Sequence, residues 1–597
     1  MSTVPERTEI DEQYTWDLAS IYPDDESWED AYEDAEELID HVRSMEGESL
    51  DDADSLLALL DGFERMSRTV ATVAAYARHR HHEDTRTERY QAMNARVSAL
   101  LSDAGSAASF IEPAIQELGR ERIDELLEPT DELAVYDHHF DDILRAEPHT
   151  LDPEIEELLA DLGEVTGAPG DIYSQLTNAD MAFPTVERPD GDTVEISLSN
   201  FTKLQKDSDR AFRQEVYEAF YDEWEGVENA VATAYEKTVR RNVKLAQRRN
   251  FETAREAAMN GPNVPVEVYD TLVETVRDNL DVIDRHADLK RRALGVDELR
   301  MWDLYAPLTD DDAPEIPYDE ATDHVVEAVG ALGEEYQRRV AEGIDSRWID
   351  VYENRGKRSG AYSGGTYDTQ PFVLMNYQDD VASMYTLAHE LGHSLHSQLT
   401  SEHQPYVYSG YTIFVAEVAS TVNEALLTHH LLETVDDPDL RWAVLDEYLE
   451  RFRGTLFRQT MFAEFEHRTH ALVEDGEALT TDRLHELYRE LKEAFYESAV
   501  VDDRIAREWM RIPHFYSAFY VYQYSTGVSA AGAIARDVLE EGEPAVERYL
   551  NFLKRGSRDY PVGLLRDAGV DMTGPEPIER AIETYDSYLD EMDALLD

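Results

Sequence analysis

Residues 385–393 read Tyr-Thr-Leu-Ala-His-Glu-Leu-Gly-His, and this stretch predicts a helix that carries a metal site. His389 and His393 are four residues apart, so on a helix both imidazoles project from one face and can reach a single ion. Glu390 lies beside them, where a carboxylate can act as general base on an attacking water. We therefore expect one catalytic Zn²⁺. The chain has 19 histidines; a chance match is expected about 0.1 times, so an ordinary helix with two histidines is the competing interpretation.

A catalytic zinc ion needs a third protein ligand, and two residues compete for this role. His396 shares the helical face, but its Cα lies about 10.5 Å along the axis from that of His389. An ion between His389 and His393 would be hard for it to reach. Glu417 lies in an apolar stretch, where a carboxylate is costly unless it is paired or bound to metal, and we favour it as the ligand. Glu424, on the same predicted face, is either a carboxylate that accepts an imidazole N–H or a surface glutamate.

A second candidate region, residues 511–527, is dense in tyrosine. The His389-Glu390-x-x-His393 pattern is typical of zinc metalloproteases. Peptide hydrolysis passes through a tetrahedral oxyanion that needs hydrogen-bond donors, and a tyrosine hydroxyl or a histidine N–H can serve. His514 and the tyrosines of this segment are therefore candidate donors. Tyrosines at helical spacing are also typical of a packed core, and that alternative stays open.

A short buried strand is predicted over residues 371–377, shortly before the metal helix. A substrate peptide could add to the edge of this strand through backbone hydrogen bonds. Gly364 and Gly365, in a turn before the strand, are further candidates for substrate binding. An ordinary packed strand is an equal alternative.

The rest of the chain predicts a mainly α fold with this small β element beside the metal helix. Apolar residues recur at helical spacing over residues 28–42, 54–76, 89–101, 200–250 and 266–294, and from 381 onward the pattern is almost wholly helical. Residues 181–198 alternate around Pro189-Asp190-Gly191, which predicts a β-hairpin. We place a boundary there, between an N-terminal helical region (1–198) and a catalytic domain (199–597).

The charge balance is strongly acidic, with 54 lysines and arginines against 128 aspartates and glutamates and a net charge of −74. This excess argues against nucleic acid or an anionic membrane as a partner. Its self-repulsion would be screened at molar salt, where the Debye length is roughly 3 Å, so we expect a halophilic host, such as a halophilic archaeon. The absence of cysteine excludes a thiol nucleophile. A polar first segment and no apolar run of membrane-spanning length predict a cytoplasmic protein.

Several segments together resemble oligoendopeptidase F, a branch of the thimet oligopeptidase/neurolysin-like family of zinc peptidases. The segments that carry the resemblance are residues 14–18, 263–269, 303–308, 364–367, 372–377, 385–393, 414–420 and 514–516. The resemblance covers most of the chain. It implies a helical ellipsoid split by a deep channel with zinc at its floor, so that only short unfolded peptides reach the ion.

The resemblance also implies roles for individual residues. Zinc ligation falls to His389, His393 and Glu417, and Glu390 is the general base. His514 and one or more of the tyrosines that follow it would contact substrate and stabilise the oxyanion. The resemblance leaves open which of Tyr516, Tyr520 and Tyr522 does so, because tyrosine spacing differs between branches of the family. Within that choice we expect His514, Tyr520 and Tyr522 to be catalytic and Tyr516 to contact substrate.

We therefore expect a zinc endopeptidase that cleaves internal bonds of short oligopeptides. A carboxypeptidase or aminopeptidase with the same metal site is a rival. A peptide-binding protein with purely structural zinc is another, although structural zinc usually has four protein ligands, often cysteines. The oligomeric state stays open.

Overall fold

The computed structural model describes residues 4–128, 131–308 and 314–596. The chain forms two compact units, each assembled from three separate stretches. The first unit comprises Met1–Pro148, Glu315–His430 and Asp537–Asp559, and the second comprises His149–Pro314, Leu431–Arg536 and Tyr560–Asp597. The division of the sequence after residue 198 stays a prediction.

The α-helices of the described residues account for most of the chain. The first fourteen are α1 (Asp25–Ser44), α2 (Ala53–Glu83), α3 (Glu88–Ala108), α4 (Ile111–Leu127), α5 (Asp131–Ala134), α6 (Asp137–Arg145), α7 (Pro153–Asp161), α8 (Gly163–Gln175), α9 (Phe201–Leu204), α10 (Arg210–Glu225), α11 (Glu228–Arg248), α12 (Ala254–Asn260), α13 (Val266–Asp278) and α14 (Leu280–Ala293). The rest are α15 (Tyr318–Ala328), α16 (Glu334–Asp345), α17 (Val381–His403), α18 (Ile413–Thr434), α19 (Pro438–Phe452), α20 (Arg458–Glu474), α21 (Thr481–Phe495), α22 (Tyr522–Glu541), α23 (Glu543–Leu553), α24 (Pro561–Asp567) and α25 (Glu576–Leu596). The predicted mainly α fold is confirmed.

The strands found in the described ranges are short and form three small sheets. In chain order they are β1 (Thr185–Glu187), β2 (Thr193–Glu195), β3 (Leu299–Arg300), β4 (Ile349–Tyr352), β5 (Tyr362–Gly364), β6 (Phe372–Tyr377) and β7 (Ala499–Val500). β1 and β2 pair as an antiparallel hairpin, which confirms the prediction around Pro189-Asp190-Gly191. β3 and β7 form a parallel pair in the second unit.

Several helices start with a side-chain cap, close to the residue where the predicted apolar periodicity begins. Asp24 accepts a hydrogen bond from the Ser27 N–H at the start of α1, and Asp380 does the same for the Ser383 N–H at the start of α17. Such caps satisfy amides that have no partner within the helix. The helices predicted over residues 28–42, 54–76 and 89–101 are observed as α1, α2 and α3, each longer than its apolar pattern.

In the first unit, α1, α2 and α3 pack against one another around a large apolar cluster. Trp28 is fully buried in this cluster and donates its indole N–H to the Val73 carbonyl, so its polar atom is satisfied. Burying one such side chain contributes roughly 1.5–3 kcal/mol. Phe372 and Leu374 of β6 belong to the same cluster, so the sheet beside α17 rests on the N-terminal helices.

The sheet of the first unit has the order β4-β6-β5, with β4 parallel and β5 antiparallel to β6. β6 is therefore the central strand, and both of its edges are paired. The prediction that a substrate peptide adds to the edge of residues 371–377 is wrong for this reason. The two edge strands of this sheet are β4 and β5.

In the second unit, α11 packs against α8, α20 and α21. A buried ion network lies nearby. The Glu508 carboxylate pairs with Lys492 at 2.8 Å and Arg458 at 2.8 Å and accepts a hydrogen bond from the Tyr488 hydroxyl at 2.7 Å. Each charge is costly to bury alone, so several partners around one carboxylate are what make the burial tolerable.

The tyrosine-rich stretch departs from the predicted helical pattern. Short 3₁₀ turns cover Ile505–Arg511 and Pro513–Tyr516, and α22 begins only at Tyr522. Between the second turn and α22, Phe519 has a φ of 50°, in the left-handed region that non-glycine residues rarely adopt. Across the described ranges, no helix combines the length and the apolarity that crossing a bilayer requires.

Candidate metal centre

Helices α17 and α18 bring the three candidate ligands of the first unit together. The Nε2 atoms of His389 and His393 are 3.2 Å apart. Oε2 of Glu417 lies 3.4 Å from Nε2 of His389 and 3.6 Å from Nε2 of His393. Among the described residues, these three form a group whose potential ligand atoms lie within 4.8 Å of one another.

The spacing of these atoms fits a small tetrahedral ion. Ligand atoms at roughly 2.0–2.1 Å from such an ion lie about 3.3–3.4 Å from each other, close to the observed 3.2, 3.4 and 3.6 Å. Two imidazole nitrogens and one carboxylate oxygen are also the donor set that catalytic zinc sites use. The residues therefore fit a divalent metal ion.

Partners outside the group fix the orientation of both imidazoles. Nδ1 of His389 lies 2.7 Å from Oε1 of Glu424, and the His393 ring hydrogen-bonds to the backbone of Ala416. Each ring therefore presents its Nε2 atom to Glu417. Glu424 is only 9% exposed, so the alternative of a surface glutamate is wrong, and the residue is a hydrogen-bond partner of a candidate ligand.

The same neighbours control the charge of the pair. Burial alone would lower the pKa of His389, but the hydrogen bond to Glu424 and the carboxylates of Glu424, Glu390 and Glu417 raise it. Burial, and then the nearby His389, lower the pKa of His393. These opposite shifts place the positive charge of the pair on His389, and a divalent cation would displace that proton.

Gly392 allows the two helices to approach closely enough for this arrangement. A Cβ atom at this position would lie 2.6 Å from the Ala419 carbonyl oxygen and 2.6 Å from the Ser420 Cα. Both are backbone atoms of α18, so no side-chain rotation could relieve the clash. The contact continues along the helices, where the Asn423 amide donates to the Ala388 carbonyl at 3.1 Å. The missing side chain of Gly392 is thus what lets Glu417 reach the histidines.

Glu390 is buried beside the candidate ligands and is held by strand β5. The Ser363 N–H donates to its carboxylate, and the Ser363 and Ser394 hydroxyls lie 2.8 Å apart. Burial raises the pKa of Glu390 to about 7, in spite of the opposing effect of His389. A carboxylate with a pKa near neutrality is suited to both accept and return a proton.

His396 does not belong to the group of candidate ligands. Its ring stacks on Tyr411 with centroids 3.8 Å apart and an interplanar angle of 6°. It is buried, and burial lowers its pKa to about 3. A neutral, stacked histidine in the core agrees with the preference for Glu417 as third ligand.

Gly364 and Gly365 line a cavity of about 540 Å³ together with Asp368, Ser397 and Glu402. Their lack of side chains has a structural reason. A Cβ at Gly364 would lie 3.2 Å from the His79 ring, and Gly365 has a φ of 134° with its Cβ position 3.0 Å from the Gln370 carbonyl oxygen. A role in substrate binding stays a prediction for both.

The second unit contains the predicted oxyanion donors. His514 and Tyr520 lie with parallel rings and centroids 5.9 Å apart. Tyr524, which was not among the predicted site residues, packs edge-on against both. Burial, and then the charge of Arg458, lower the pKa of His514, so at neutral pH its imidazole is an uncharged donor.

Two other tyrosines of this segment have different surroundings. Tyr516 stacks on Tyr173 of α8 with centroids 4.5 Å apart and is half-buried. Tyr522 is 1% exposed and packs on Tyr269 at 5.1 Å. Tyr522 therefore fits the alternative interpretation of a tyrosine packed in the core. The proposal of oxyanion donors below rests on His514 and Tyr520.

A buried acid supports the turn between these tyrosines. Oε1 of Glu466 accepts the Phe519 N–H at 2.7 Å, and the His470 ring packs on Phe519 at 4.6 Å. Glu466 is 1% exposed, and burial raises its pKa to about 8. A neutral carboxyl group thus holds Phe519 in its left-handed conformation, which costs a non-glycine residue about 1–2 kcal/mol.

Three residues that matter to these arrangements were not found from the sequence. Gly392 carries a signal, because a glycine inside a strong helix is unfavourable and is typical of a close contact. Ser363 acts through its backbone N–H, which any residue could supply. Glu466 lies among apolar and aromatic residues of α20, but nothing in its spacing indicates Phe519 as its partner.

A mainly α protein with two histidines and a glutamate on one helix, and a further carboxylate ligand on a second helix, has the features of a metallopeptidase. The chain belongs to peptidase family M3. The family profile described as "Peptidase family M3" matches residues 203–584, and the profile described as "Oligopeptidase F" matches residues 115–183. The chain is therefore a peptidase of the metallopeptidase type.

Relatives and solved structures agree with this assignment over nearly the whole chain. Oligopeptidase PepF of Bacillus subtilis is 42% identical over 594 residues, which is 99% of this chain and 89% of the relative. Group B oligopeptidase PepB of Streptococcus agalactiae is 41% identical over 99% of this chain and 98% of its own. The crystal structure of oligoendopeptidase-F from Enterococcus faecium has a TM-score of 0.74 at 35% identity and covers 96% of this chain and 99% of its own. A putative peptidase from Chlamydophila abortus has a TM-score of 0.91 at 31% identity and covers 99% of this chain and 100% of its own.

Proposed function

We propose that the protein is a zinc-dependent endopeptidase that hydrolyses internal bonds of short oligopeptides. The observation that carries the proposal is the group of His389, His393 and Glu417, with Glu390 buried beside it. The spacing of the donor atoms favours a tetrahedral ion, and three protein ligands leave a fourth position open for chemistry. The family supports peptide hydrolysis, while the identity of the ion is our inference from the donor set.

The general base in this proposal is Glu390. Zinc, when bound by the three ligands, would supply Lewis acidity that makes water a better nucleophile and polarises the scissile carbonyl. Glu390 accepts the proton that the attacking water loses and returns it to the leaving amine. The Ser363 N–H holds the carboxylate in place, and its pKa of about 7 allows both transfers near neutral pH.

His514 and Tyr520 are the proposed donors to the oxyanion, and Tyr516 is a proposed substrate contact. The support comes from their common segment, from the parallel arrangement of the His514 and Tyr520 rings, and from the uncharged state of His514. Neutral donors stabilise a developing negative charge without competing as nucleophiles. Tyr522 is a less suitable donor because its side chain lies in the core.

Cleavage of internal bonds in short peptides is supported by the names of the relatives, several of which are oligopeptidases or oligoendopeptidases. Strand β5, unlike β6, is an edge strand of its sheet. Because Gly364 and Gly365 lie at and just beyond the end of this strand, we propose that a substrate peptide pairs there through its backbone. The catalytic domain of residues 199–597 is our proposed functional division of the sequence.

Replacing Glu390 by glutamine tests the proposal. The glutamine side chain keeps the shape of the carboxylate but cannot accept a proton, so bound zinc should be retained while turnover of an internally quenched peptide falls by about 10²- to 10⁴-fold. Metal content is measured by elemental analysis on the same sample. Turnover at the wild-type rate would overturn the mechanism, and loss of metal together with activity would show that Glu390 acts on the site's structure.

A peptide blocked at both ends separates the proposed activity from its rivals. An endopeptidase cleaves it, whereas a carboxypeptidase or an aminopeptidase requires a free terminus. Absence of any hydrolysis with metal bound would favour the peptide-binding alternative.

We also infer a cytoplasm of high ionic strength as the setting, and the support is the net charge of −74. Screening at molar salt would relieve the self-repulsion of so many carboxylates. Unfolding midpoints that stay constant between about 0.1 M and several molar KCl would contradict this inference.

A further inference from the structure

Two arginines beside strand β5 of the first unit have no carboxylate partner in the part of the chain that the structure describes. Arg78 lies on α2, Arg358 lies in the loop before β5, and both are exposed. This is unusual in a chain with 128 acidic against 54 basic residues, where exposed arginines such as Arg96 and Arg338 pair with carboxylates. An arginine without a partner in the protein is free to bind an anionic ligand.

A neutral histidine joins Arg358 to the strand. The Arg358 guanidinium donates to Nε2 of His82 at 3.1 Å, and Nδ1 of His82 lies 2.8 Å from the Tyr362 hydroxyl. Burial, and then the charge of Arg358, lower the pKa of His82 to about 4, so the ring is neutral at neutral pH. Because arginine can only donate, the proton of this ring is on Nδ1 and points to the Tyr362 oxygen. The Tyr362 hydroxyl therefore keeps its own proton to donate. The four residues of this arrangement, called the Arg78–Arg358 cluster below, are Arg78, His82, Arg358 and Tyr362.

The cluster carries uncompensated positive charge. Burial raises the pKa of Tyr362, the charges of both cluster arginines lower it, and the carboxylates of Asp350 and Glu83 raise it. Each of these two carboxylates has a basic partner outside the cluster. Arg7 lies 3.2 Å from Glu83, and Lys357 lies 2.6 Å from Asp350. The nearby acids are therefore neutralised by other residues, and the charge of the cluster arginines is left for a ligand.

The cluster lies close to the proposed general base within one compact unit. Tyr362 directly precedes Ser363, whose N–H donates to the Glu390 carboxylate. Helix α2 lies against the face of β5 that carries Tyr362, because a Cβ at Gly364 would meet the His79 ring at 3.2 Å. A peptide that pairs with β5 rises about 3.3 Å per residue, so the cluster is reached within roughly three residues of the scissile bond.

A carboxylate matches the hydrogen-bonding groups that the cluster offers. The guanidinium groups and the Tyr362 O–H are all donors, and no acceptor for that O–H is seen among the described residues. An ionised carboxylate only accepts hydrogen bonds, and arginine binds it through two parallel N–H groups. A basic side chain would instead meet two like charges, which is unfavourable. In a peptide, carboxylates occur on acidic side chains and at the C-terminus.

We propose that the Arg78–Arg358 cluster binds a carboxylate of the substrate peptide, supplied by an acidic side chain or by the C-terminus, within roughly three residues of the scissile bond. This inference rests on the proposed endopeptidase function, because it names a substrate class for the same site. The carboxylate does not take part in the bond that breaks. Its contacts form equally in the ground state and the transition state, so they lower KM and leave kcat unchanged.

The test replaces both cluster arginines by glutamine in the full chain, as Arg78→Gln with Arg358→Gln. Both side chains are exposed, so the fold should be retained. The matched control carries Arg65→Gln with Arg248→Gln. These two arginines are also exposed and pair with no carboxylate of the described ranges, so the control removes the same charge from the chain. All proteins are compared at one salt concentration, because screening weakens exposed ion pairs.

The probes are peptides of one length that share a scissile bond. One series carries aspartate or asparagine at each of the three positions on either side of the bond, and a further pair ends in a free carboxylate or a carboxamide. Exchange of acid for amide removes the charge and keeps the size. Affinity is measured by fluorescence anisotropy in the Glu390→Gln background, which does not depend on turnover. Internally quenched versions give KM and kcat of the active enzyme.

We expect the wild-type cluster to bind the acid about tenfold more tightly than the amide at one of these positions, as one hydrogen bond to a charged group can provide. The position with this preference identifies the source of the carboxylate. The double arginine variant should bind both forms equally, whereas the control should keep the preference. Tyr362→Phe removes one donor and keeps the ring, so it should keep only part of the preference. In the active enzyme the same ratios should appear in KM at constant kcat.

Two results would overturn the inference. One is an equal preference for acid over amide in the double arginine variant and in the control. The other is a wild-type chain that binds acid and amide equally at every position and at the C-terminus. Selective binding of the acid without hydrolysis by the active chain would support the cluster while refuting the endopeptidase function. Hydrolysis of all acid and amide pairs at equal KM would refute the cluster and leave that function intact.

Discussion

Helices α17 and α18 hold the candidate metal ligands on regular backbone, whereas the segment from His514 to Tyr524 holds its candidate donors on irregular backbone. In the helix pair, the four-residue spacing places His389 and His393 side by side, and a glycine contact admits the second helix. In the other segment, two 3₁₀ turns and a left-handed residue at Phe519 orient the rings, and the buried acid Glu466 supports the turn.

The two regions differ in the interactions that must stabilise their backbone. Regular helices satisfy their own backbone hydrogen bonds. To position the candidate ligands, the helix pair therefore needs only close packing and the hydrogen bonds that Glu424 and the Ala416 backbone make to the two histidines. The irregular segment has backbone groups and a strained φ that must be stabilised by other elements. Changes in the helix pair should therefore act on metal binding, and changes in the segment on turnover or on the pH dependence of stability.

The largest effect is expected from Gly392→Ala. The added methyl group would lie 2.6 Å from two backbone atoms of α18, so the helices must separate and Glu417 must move away from the histidines. Metal affinity should fall by more than the roughly 10- to 100-fold that loss of an outer hydrogen-bond partner causes. The metal-free protein should lose about 1–3 kcal/mol of unfolding free energy. Zinc titration against a competing chelator and thermal unfolding check both effects.

Gly410→Ala is the matched control, because a Cβ there has nothing within 4 Å. If Gly392→Ala binds zinc as tightly as this control, close helix contact is not what places the third ligand.

The next largest effect is expected from Tyr520→Phe. Removing an oxyanion donor should lower kcat by about 100-fold with metal content unchanged. Tyr516→Phe should instead change KM, because Tyr516 is proposed to contact substrate. Steady-state kinetics with metal analysis measure both. A Tyr520→Phe enzyme with wild-type kcat would remove this segment from the proposed chemistry and leave the metal helices as the sole catalytic region.

Glu424→Gln should have a smaller effect, confined to the helix pair. The amide can still accept from His389 Nδ1, but the negative charge that raises the pKa of His389 is lost. We expect metal affinity to fall by about 10- to 100-fold. Glu433→Gln, on the exposed side of the same helix, is the control. Equal zinc affinity of the two variants would mean that the Glu424 hydrogen bond has no part in binding the ion.

The smallest effect on activity is expected from Glu466→Gln, which changes the pH dependence of stability instead. The pKa of Glu466 is raised from 4.5 to about 8 in the folded protein, so between these values the folded state binds more protons than the unfolded state. Wild-type stability should therefore lose up to about 1.4 kcal/mol per pH unit from this group as pH rises through that window. The variant lacks this loss and should gain relative stability up to about pH 8, after which the difference is constant.

Denaturant unfolding of both proteins at several pH values isolates this contribution, since all other groups cancel in the difference. A difference that does not vary with pH would show that Glu466 is ionised in the fold. The variant should keep near-wild-type turnover, because the glutamine carbonyl can still accept the Phe519 N–H.

The site could be predicted from sequence where local spacing decides it. His389, Glu390 and His393 follow from a single helix, and the preference for Glu417 over His396 follows from helical rise and the cost of an isolated charge. The edge role of residues 371–377 could not be judged, because the position of a strand within a sheet depends on partners such as β4, which is distant in sequence. Sequence alone could not predict that Tyr522 is buried and that His514 is exposed, because the segment between them is not helical.

The sequence by itself determined the helical character of the chain, the placement of two candidate ligands and the candidate base on one helix, the hairpin near residue 190 and the excess of negative charge. These features depend on interactions within a few residues or on composition alone. Only the tertiary structure decided that Gly392 lets α18 approach, that Glu424 orients His389, that β6 is a central strand, and that Glu466 supports the turn at Phe519. Each of these is a contact between segments far apart in the chain, and the free energy of such contacts depends on packing that no local pattern specifies.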